Sequence, residues 1–329
     1  MSARFLVTAP IPSPGLDLLR CAGEVTVLQD QPDSAFLRHL CASGNFDVVL
    51  THTRDVIDAP LLEQAQLRGV ANNAVGFNNV DIAAATANNT MVANTPGVLT
   101  AATADIAMLL ILGTARRVVE ADTMVREGRF HGWEPGLMLG SDVSGRVLGL
   151  AGFGRIARAT AHRALAFGMD VIFTPRPPVH REVSLTELGE FAGKVKQVRW
   201  NELVEHSDFL SLHVPLTDGT RHLVNASVLS RMKSEAVVIN TARGPIVDEA
   251  ALVQALKNGP IGGAGLDVYE HEPALAPGLA ELPNTVLLPH IGSATVRVRG
   301  EMARLSALNA LAMARGELPP HPVNPGAWD

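Results

Sequence analysis

A chain of 329 residues has room for two domains of the usual ~100–200 residues each, and with 47% apolar and 18% charged residues it can bury a sizeable core. A net charge of −6 argues against nucleic acid or a membrane surface as the partner, since both reward a basic face, whereas a small anion needs only one or two cations. Cys21 and Cys41 are the only cysteines, too few for a disulfide framework or a cysteine-built zinc site.

The opening Met1-Ser-Ala-Arg-Phe-Leu-Val-Thr8 lacks the charged segment and long apolar run of a secretory leader and reads as a first strand. Strands are expected at 5–8, 25–28, 47–51, 70–74 and 91–93, with helices at 16–21, 35–41, 60–66 and 82–87 between them. Strands separated by helical segments make a parallel sheet with crossover helices, the pattern of an α/β domain. One long helix is expected at 100–127, and its apolar run at 106–112 is far short of the ~18–20 residues of a membrane span. A soluble, cytoplasmic protein is therefore expected. Residues 128–145 form a Gly/Pro/Trp segment without a period. A second α/β series follows, with strands at 147–151, 170–174, 208–213, 236–240, 264–268 and 285–288. Its helices are expected at 156–167, at 248–257 with Asn258-Gly259 as the stop, and at about 295–315.

Val147-Leu-Gly-Leu-Ala-Gly152-Phe153-Gly154-Arg155-Ile156-Ala157 fits G-x-G-x-x-A directly after a strand and at a helix start. Gly152 permits the tight turn, Gly154 lets the backbone approach a pyrophosphate, and Ala157 is small enough for close packing. The pyrophosphate then meets the free amides and positive dipole end of the helix. An acidic residue after the second strand would hold the ribose 2′-hydroxyl. The sequence instead reads Phe173-Thr174-Pro175-Arg176-Pro177 there. The missing acid points to NADPH, with Arg176 either a ligand of the 2′-phosphate or a solvated loop residue.

Three strand ends carry candidate chemistry: Asn240-Thr241-Ala242-Arg243-Gly244, Asp267-Val-Tyr-Glu-His-Glu272-Pro273 and Pro289-His290-Ile-Gly-Ser-Ala-Thr295. Open α/β sheets bind ligands at such ends. Reduction of a 2-keto acid needs a guanidinium to grip the carboxylate and polarise the keto oxygen, a histidine to deliver the proton, and a carboxylate to favour the charged imidazole. Each residue also has a bland reading. Arg243 could only cap carbonyls, Glu272 could be a surface acid beside Glu270, and His290 is one of 11 histidines.

Those segments, with Asn94-Thr-Pro-Gly-Val-Leu-Thr100, Thr103-Ala-Asp105 and His213-Val-Pro-Leu-Thr217, resemble the D-isomer-specific 2-hydroxyacid dehydrogenases in order and over nearly the whole chain. His290-Ile-Gly-Ser-Ala-Thr295 and Trp133-Glu-Pro are similar to the glyoxylate/hydroxypyruvate reductase branch. The ending Val323-Asn324-Pro325 is similar to members that also reduce 2-ketogluconate. The resemblance implies two Rossmann-like/flavodoxin-like α/β domains with parallel sheets and an active-site cleft between them. Residues 1–98 and 287–329 would bind substrate, and 99–286 would bind NAD(P), including a homodimerisation arm at about 100–145. Arg243 would bind the 2-keto or 2-hydroxy acid, His290 would be the acid/base and Glu272 its partner. Backbone groups of Val75 and Gly76, with Ser293 and Trp133, would complete the substrate site. The cofactor, NADP(H) in preference to NAD(H), would be lined by Thr103, Gly152, Phe153, Gly154, Arg155, Ile156, Pro175, Arg176, Val214, Pro215, Thr220, Thr241, Ala242, Asp267, His290 and Gly292. Ala157 for the third glycine and Pro175 after the strand depart from the common pattern.

Two other readings stay open. An enzyme like 3-phosphoglycerate dehydrogenase shares the motifs but prefers NAD, and no basic cluster for a phosphorylated substrate stands out. NAD-sensing corepressors share the fold, but the chain shows no disordered extension and no basic DNA-facing cluster.

Overall fold

Runs of small and β-branched residues without polar alternation make strands that are covered on both faces. In the computed structural model, which describes residues 2–328, every residue of Val48–Thr51, Gly69–Asn72 and Met91–Ala93 is buried. The chain divides into two units, Met1–Leu99 with Ser293–Asp329, and Thr100–Gly292.

In the first unit β1 (Ala3–Val7), β2 (Gly23–Val27), β3 (Val48–Thr51), β4 (Gly69–Asn72) and β5 (Met91–Ala93) form one parallel sheet in the order β2-β1-β3-β4-β5. Three of its crossover helices begin where an aspartate can accept an orphan amide: Asp33 from Phe36, Asp58 from Leu61 and Asp81 from Ala84. The helix Val296–Ala314, capped by Thr295, lays Ala303, Ala307, Ala310 and Met313 against Val7, Leu50 and Met91. Asn324 accepts from the Val92 amide at 2.7 Å and donates to the Thr90 carbonyl, so the ending that suggested a substrate preference anchors the tail to β5.

In the second unit β6 (Val147–Ala151), β7 (Asp170–Thr174), β8 (Lys196–Gln197), β9 (Phe209–Leu212), β10 (Val237–Asn240), β11 (Gly263–Leu266) and β12 (Thr285–Leu287) form a parallel sheet. The order β12-β11-β10-β9-β6-β7-β8 reverses between β6 and β9, the switch point at which such sheets bind dinucleotides. Met108, Leu110 and Ile111 of the helix Thr100–Ala115 pack on one face with Leu148, Phe173 and Ile239. Leu252 and Leu256 pack on the other with Leu212, Val238 and Ala264.

The structure corrects two expectations. Residues 287–292, expected with the first unit, run with the second, because Leu287 pairs in β12 with Leu266 and the chain beyond it is bonded to Leu266, Asp267 and Thr103. The expected long helix is two, Thr100–Ala115 and Val118–Arg126. Arg117 between them is left-handed, with φ 54°, and its guanidinium forks onto both oxygens of Glu120 at 2.9 and 2.8 Å. The short β8 and the helices Leu185–Leu188, Trp200–His206 and Ala226–Leu229 span too few residues to show a period. Among the described residues no helix is long and apolar enough to cross a membrane.

Candidate active site

The glycine turn follows from sterics. Gly152 has φ 98°, and a Cβ there would lie 2.5 Å from the His213 carbonyl oxygen, so no other residue fits without displacing β6 or β9. The helix Arg155–Ala166 begins at Gly154 without a side-chain cap, which leaves its first amides to a ligand. Ala157 is fully buried. The Thr241 hydroxyl is buried and has no hydrogen-bond partner among the described residues. These features fit a dinucleotide.

Other expected cofactor residues divide by what their side chains do. Arg155 and Arg176 are exposed, Pro175 and Ile156 are half-buried, and Val214 is buried beside an exposed Pro215. The Phe153 ring points into the core, stacked on Phe173 at 3.9 Å, so only its backbone is left for a ligand. The Thr220 hydroxyl closes its own loop, donating to Pro215 O at 2.7 Å. Thr103 donates to the Gly292 carbonyl at 3.0 Å. Asp267, 1% exposed, accepts the amides of Ile291 and Gly292, both at 2.7 Å. It braces the turn that follows His290.

The second unit also holds the three candidate catalytic side chains. His290 Nδ1 lies 2.9 Å from Glu272 Oε2, and Glu272 Oε1 accepts from the Tyr269 amide at 3.1 Å. Burial works against the Glu272 charge. Its bonds to His290 and the Tyr269 amide, with the attraction of Arg243, nevertheless hold its carboxyl below the usual range. The Tyr269 hydroxyl reaches the Leu288 carbonyl at 2.9 Å, tying the Glu272 segment to the His290 segment. Burial lowers the pKa of the Arg243 guanidinium against the opposing pull of Glu272. Its Nη1 donates to the Ala242 carbonyl at 2.7 Å.

Asn240, quoted in the motif but given no role, shapes the Arg243 turn: its amide donates to Arg243 O at 2.9 Å and its oxygen accepts from Ala242 N at 3.0 Å. Gly244 follows because a Cβ there would meet Tyr269 backbone atoms at 1.8 Å. The arginine loop therefore abuts the chain leading into Glu272. His213 stands at the end of β9, bonded to Ser211 Oγ at 2.9 Å. Burial pulls its pKa down to about 4, so it is neutral at pH 7 and no proton donor.

In the first unit, the Val75 and Gly76 carbonyls accept from Asn94 at 2.7 Å and Asn72 at 2.9 Å, which fixes both peptides beyond the end of β4. Ser293 is half-buried. Trp133 is 81% exposed, and Phe130 and Leu139 of the same arm are also exposed.

A switch-point glycine turn together with a carboxylate–imidazole pair at the ends of a parallel sheet defines a nicotinamide-dependent oxidoreductase. Residues 108–292 match the family model described as D-isomer specific 2-hydroxyacid dehydrogenase, NAD binding domain, and the chain belongs to this family. Glyoxylate reductase of Thermococcus litoralis is 43% identical over 335 residues, 98% of this chain and 97% of that one. Glyoxylate reductase of Korarchaeum cryptofilum is 44% identical over 328 residues, covering 98% and 96%. The solved structure of NADPH-dependent glyoxylate/hydroxypyruvate reductase from Sinorhizobium meliloti, in complex with NADP and malonate, matches with a TM-score of 0.85 at 35% identity, covering 99% of this chain and 98% of that one.

Gly152→Ala tests the turn. Left-handed strain alone is expected to remove about 1 kcal/mol or more of stability, and the displaced backbone to weaken dinucleotide binding. Thermal unfolding with and without cofactor reads both effects. An unchanged midpoint in both conditions would mean the turn tolerates a side chain.

Proposed function

We propose that this protein is an NADPH-preferring reductase of small 2-keto acids, glyoxylate and hydroxypyruvate foremost, giving D-2-hydroxy acids, and that it works as a cytoplasmic homodimer. The observation that carries the reading is the 2.9 Å His290–Glu272 pair beside the Arg243 loop, on the sheet that bears the glycine turn. The relatives named glyoxylate reductase support the substrate class.

The bound nicotinamide supplies a hydride to the keto carbon. Glu272 accepts a hydrogen bond from the Nδ1–H of His290, which fixes the ring and aims its Nε2–H at the keto oxygen; donating that proton as charge develops there leaves a neutral imidazole that keeps Nδ1–H. Arg243 binds the substrate carboxylate and polarises the keto group, and its burial strengthens that interaction. We assign the Val75 and Gly76 amides to the same carboxylate and Ser293 to the substrate rim. Gly152–Ile156, Thr103, Pro175, Arg176, Val214, Pro215, Thr220, Thr241, Ala242 and Gly292 are assigned to the cofactor, with Asp267 acting through the 291–292 turn.

Oxidation of NADPH against a panel of glyoxylate, hydroxypyruvate and 2-ketogluconate tests the activity, and no turnover with any of them overturns it. His290→Ala is expected to lower kcat by roughly 10²–10⁴-fold with cofactor affinity unchanged. The sign for Glu272 follows from its charge. The carboxylate, held below the usual range, is ionised across neutral pH and favours positive charge across its 2.9 Å bond to the ring, an attraction that glutamine does not supply. Glu272→Gln should therefore move the falling alkaline limb of kcat/KM to lower pH, and an unmoved limb removes Glu272 from this role.

The NADPH preference rests on the chemistry after β7. Pro175 offers no carboxylate to repel a 2′-phosphate, and Arg176 is exposed there to pair with one. A hydrogen bond to a charged group contributes ~1.5–3 kcal/mol, so Arg176→Ala should raise KM for NADPH about tenfold or more and leave that for NADH alone. A wild-type kcat/KM for NADH equal to or above that for NADPH overturns the preference.

The dimer rests on apolar surface. None of the residues of Val118–Arg126 is buried, and Val118, Val119, Val125, Phe130, Trp133 and Leu139 are exposed. A crevice of about 430 Å³ lined by Val118, Val119, Leu139 and Val286 lies under this arm. We assign Trp133 to the partner's substrate site. Mixing Trp133→Ala with His290→Ala subunits should then restore roughly a quarter of wild-type activity, because a two-fold heterodimer gathers both defects in one site. Heterodimers that form without restored activity would leave Trp133 as an arm anchor.

A further inference from the structure

Glu249 opens the helix Glu249–Asn258, where a glutamate ordinarily faces water. Here it is only 3% exposed. The helix does not require this, because Asp248 already caps it by accepting from the Ala251 amide at 2.9 Å. No cation pairs with the buried carboxylate among the hydrogen bonds it makes. Its oxygens accept the backbone amides of Glu270 at 2.6 Å and Ala276 at 3.3 Å. Those two amides lie on either side of Glu272, in a segment whose internal order is one bridge between His271 and Ala274.

We propose that Glu249 is the positioning residue of the His290–Glu272 pair, its carboxylate pinning the Glu272 loop at both ends. The assignment rests on the acid–base reading above. The contacts run from helix to histidine without a gap. Glu249 holds Glu270 and Ala276; the loop between them presents Glu272 to His290 at 2.9 Å; and Tyr269, next to Glu270, donates its amide to Glu272 and its hydroxyl to Leu288. The same Tyr269–Glu270 backbone abuts Gly244, so the anchor also backs the Arg243 turn.

Every charged group facing the anchor has a place in it. Glu270 returns the bond, accepting from the Glu249 amide at 3.4 Å, and its other oxygen lies 2.5 Å from His222 Nε2. His222 is itself held by its amide on the Pro245 carbonyl at 2.8 Å. Burial and the charge of Glu270 push the Glu249 carboxyl up, while the two amides and His271 pull it back. The pair at the other end of the loop faces Arg243, Asp267 and Tyr269. A buried acceptor holding two amides is stiffer than a solvated loop, and catalytic geometry is lost over about 1 Å, at a cost on the order of a hundredfold.

Glu249→Ala and Glu249→Gln, each compared with wild type and Glu272→Gln over a full pH range, test the proposal. Glu249→Ala is expected to lower kcat by roughly 10–100-fold, leave KM for NADPH unchanged, and move the alkaline limb of kcat/KM to lower pH, toward the Glu272→Gln position. Glu249→Gln keeps one carbonyl oxygen for the Glu270 amide and should fall between wild type and Glu249→Ala. If Glu249→Ala does not fold, the intermediate shift of Glu249→Gln must still appear. A limb that stays with wild type in the folded Glu249 variants overturns the positioning role, whatever their melting temperatures. If the limb moves in Glu272→Gln alone, the positioning role fails and the acid–base reading stands; if it moves in neither, both fail.

Discussion

The two 2.7 Å bonds by which Asp267 takes the amides of Ile291 and Gly292 hold the segment on which the site depends. His290 precedes that turn with φ 54°, a conformation that costs a non-glycine residue on the order of 1–3 kcal/mol and persists only when its surroundings over-determine it. Asp267 supplies that determination from the end of β11, and Thr103 adds a bond to the Gly292 carbonyl. Burial pushes the Asp267 carboxyl up, while the Ile291 and Gly292 amides and the nearby His290 pull it back.

The same device recurs around the site. Strand ends of a parallel sheet run into irregular chain, whose amides and carbonyls must find partners when buried. Asn240 supplies them for the Arg243 turn, Glu249 for the Glu272 loop, and Asn72 and Asn94 for the peptides at Val75 and Gly76. Each is a short or medium polar side chain, buried or half-buried close to the backbone it holds, and each fixes direction as well as distance. Charge placement then separates two histidines of similar chemistry. His213 is half-buried against a serine hydroxyl, its pKa pulled down by the packing around it, whereas the half-buried His290 faces a carboxylate.

Much of this was legible in the chain itself. The alternation of strands and helices gave the parallel α/β architecture because both periods are local. Gly152 and Gly154 marked the turn because steric permission belongs to the residue that has it, and Arg243, Glu272 and His290 lie in segments that follow strands, their roles implied by the resemblance those motifs carry. Asp248 and Gly259 bounded their helix at once: a cap and a left-handed stop are properties of single residues in sequence.

Other features depended on contacts between distant segments. Glu270 and Glu272 are indistinguishable by position, yet one bonds His222 and the other His290, because loops 48 and 18 residues away arrive on different sides. The Phe153 ring turned into the core because Phe173 and Phe191 were waiting for it there. The expected long helix broke at Arg117, where a left-handed residue replaced a helical one. Glu249 sits in the first turn of its helix, and its burial comes from the segment around Glu272 that closes over it. Residue type and local period could set strands, turns and candidate acids and bases; which carboxylate meets which imidazole was decided by long-range packing, since a hydrogen bond exists only where the folded chain brings donor and acceptor within about 3 Å.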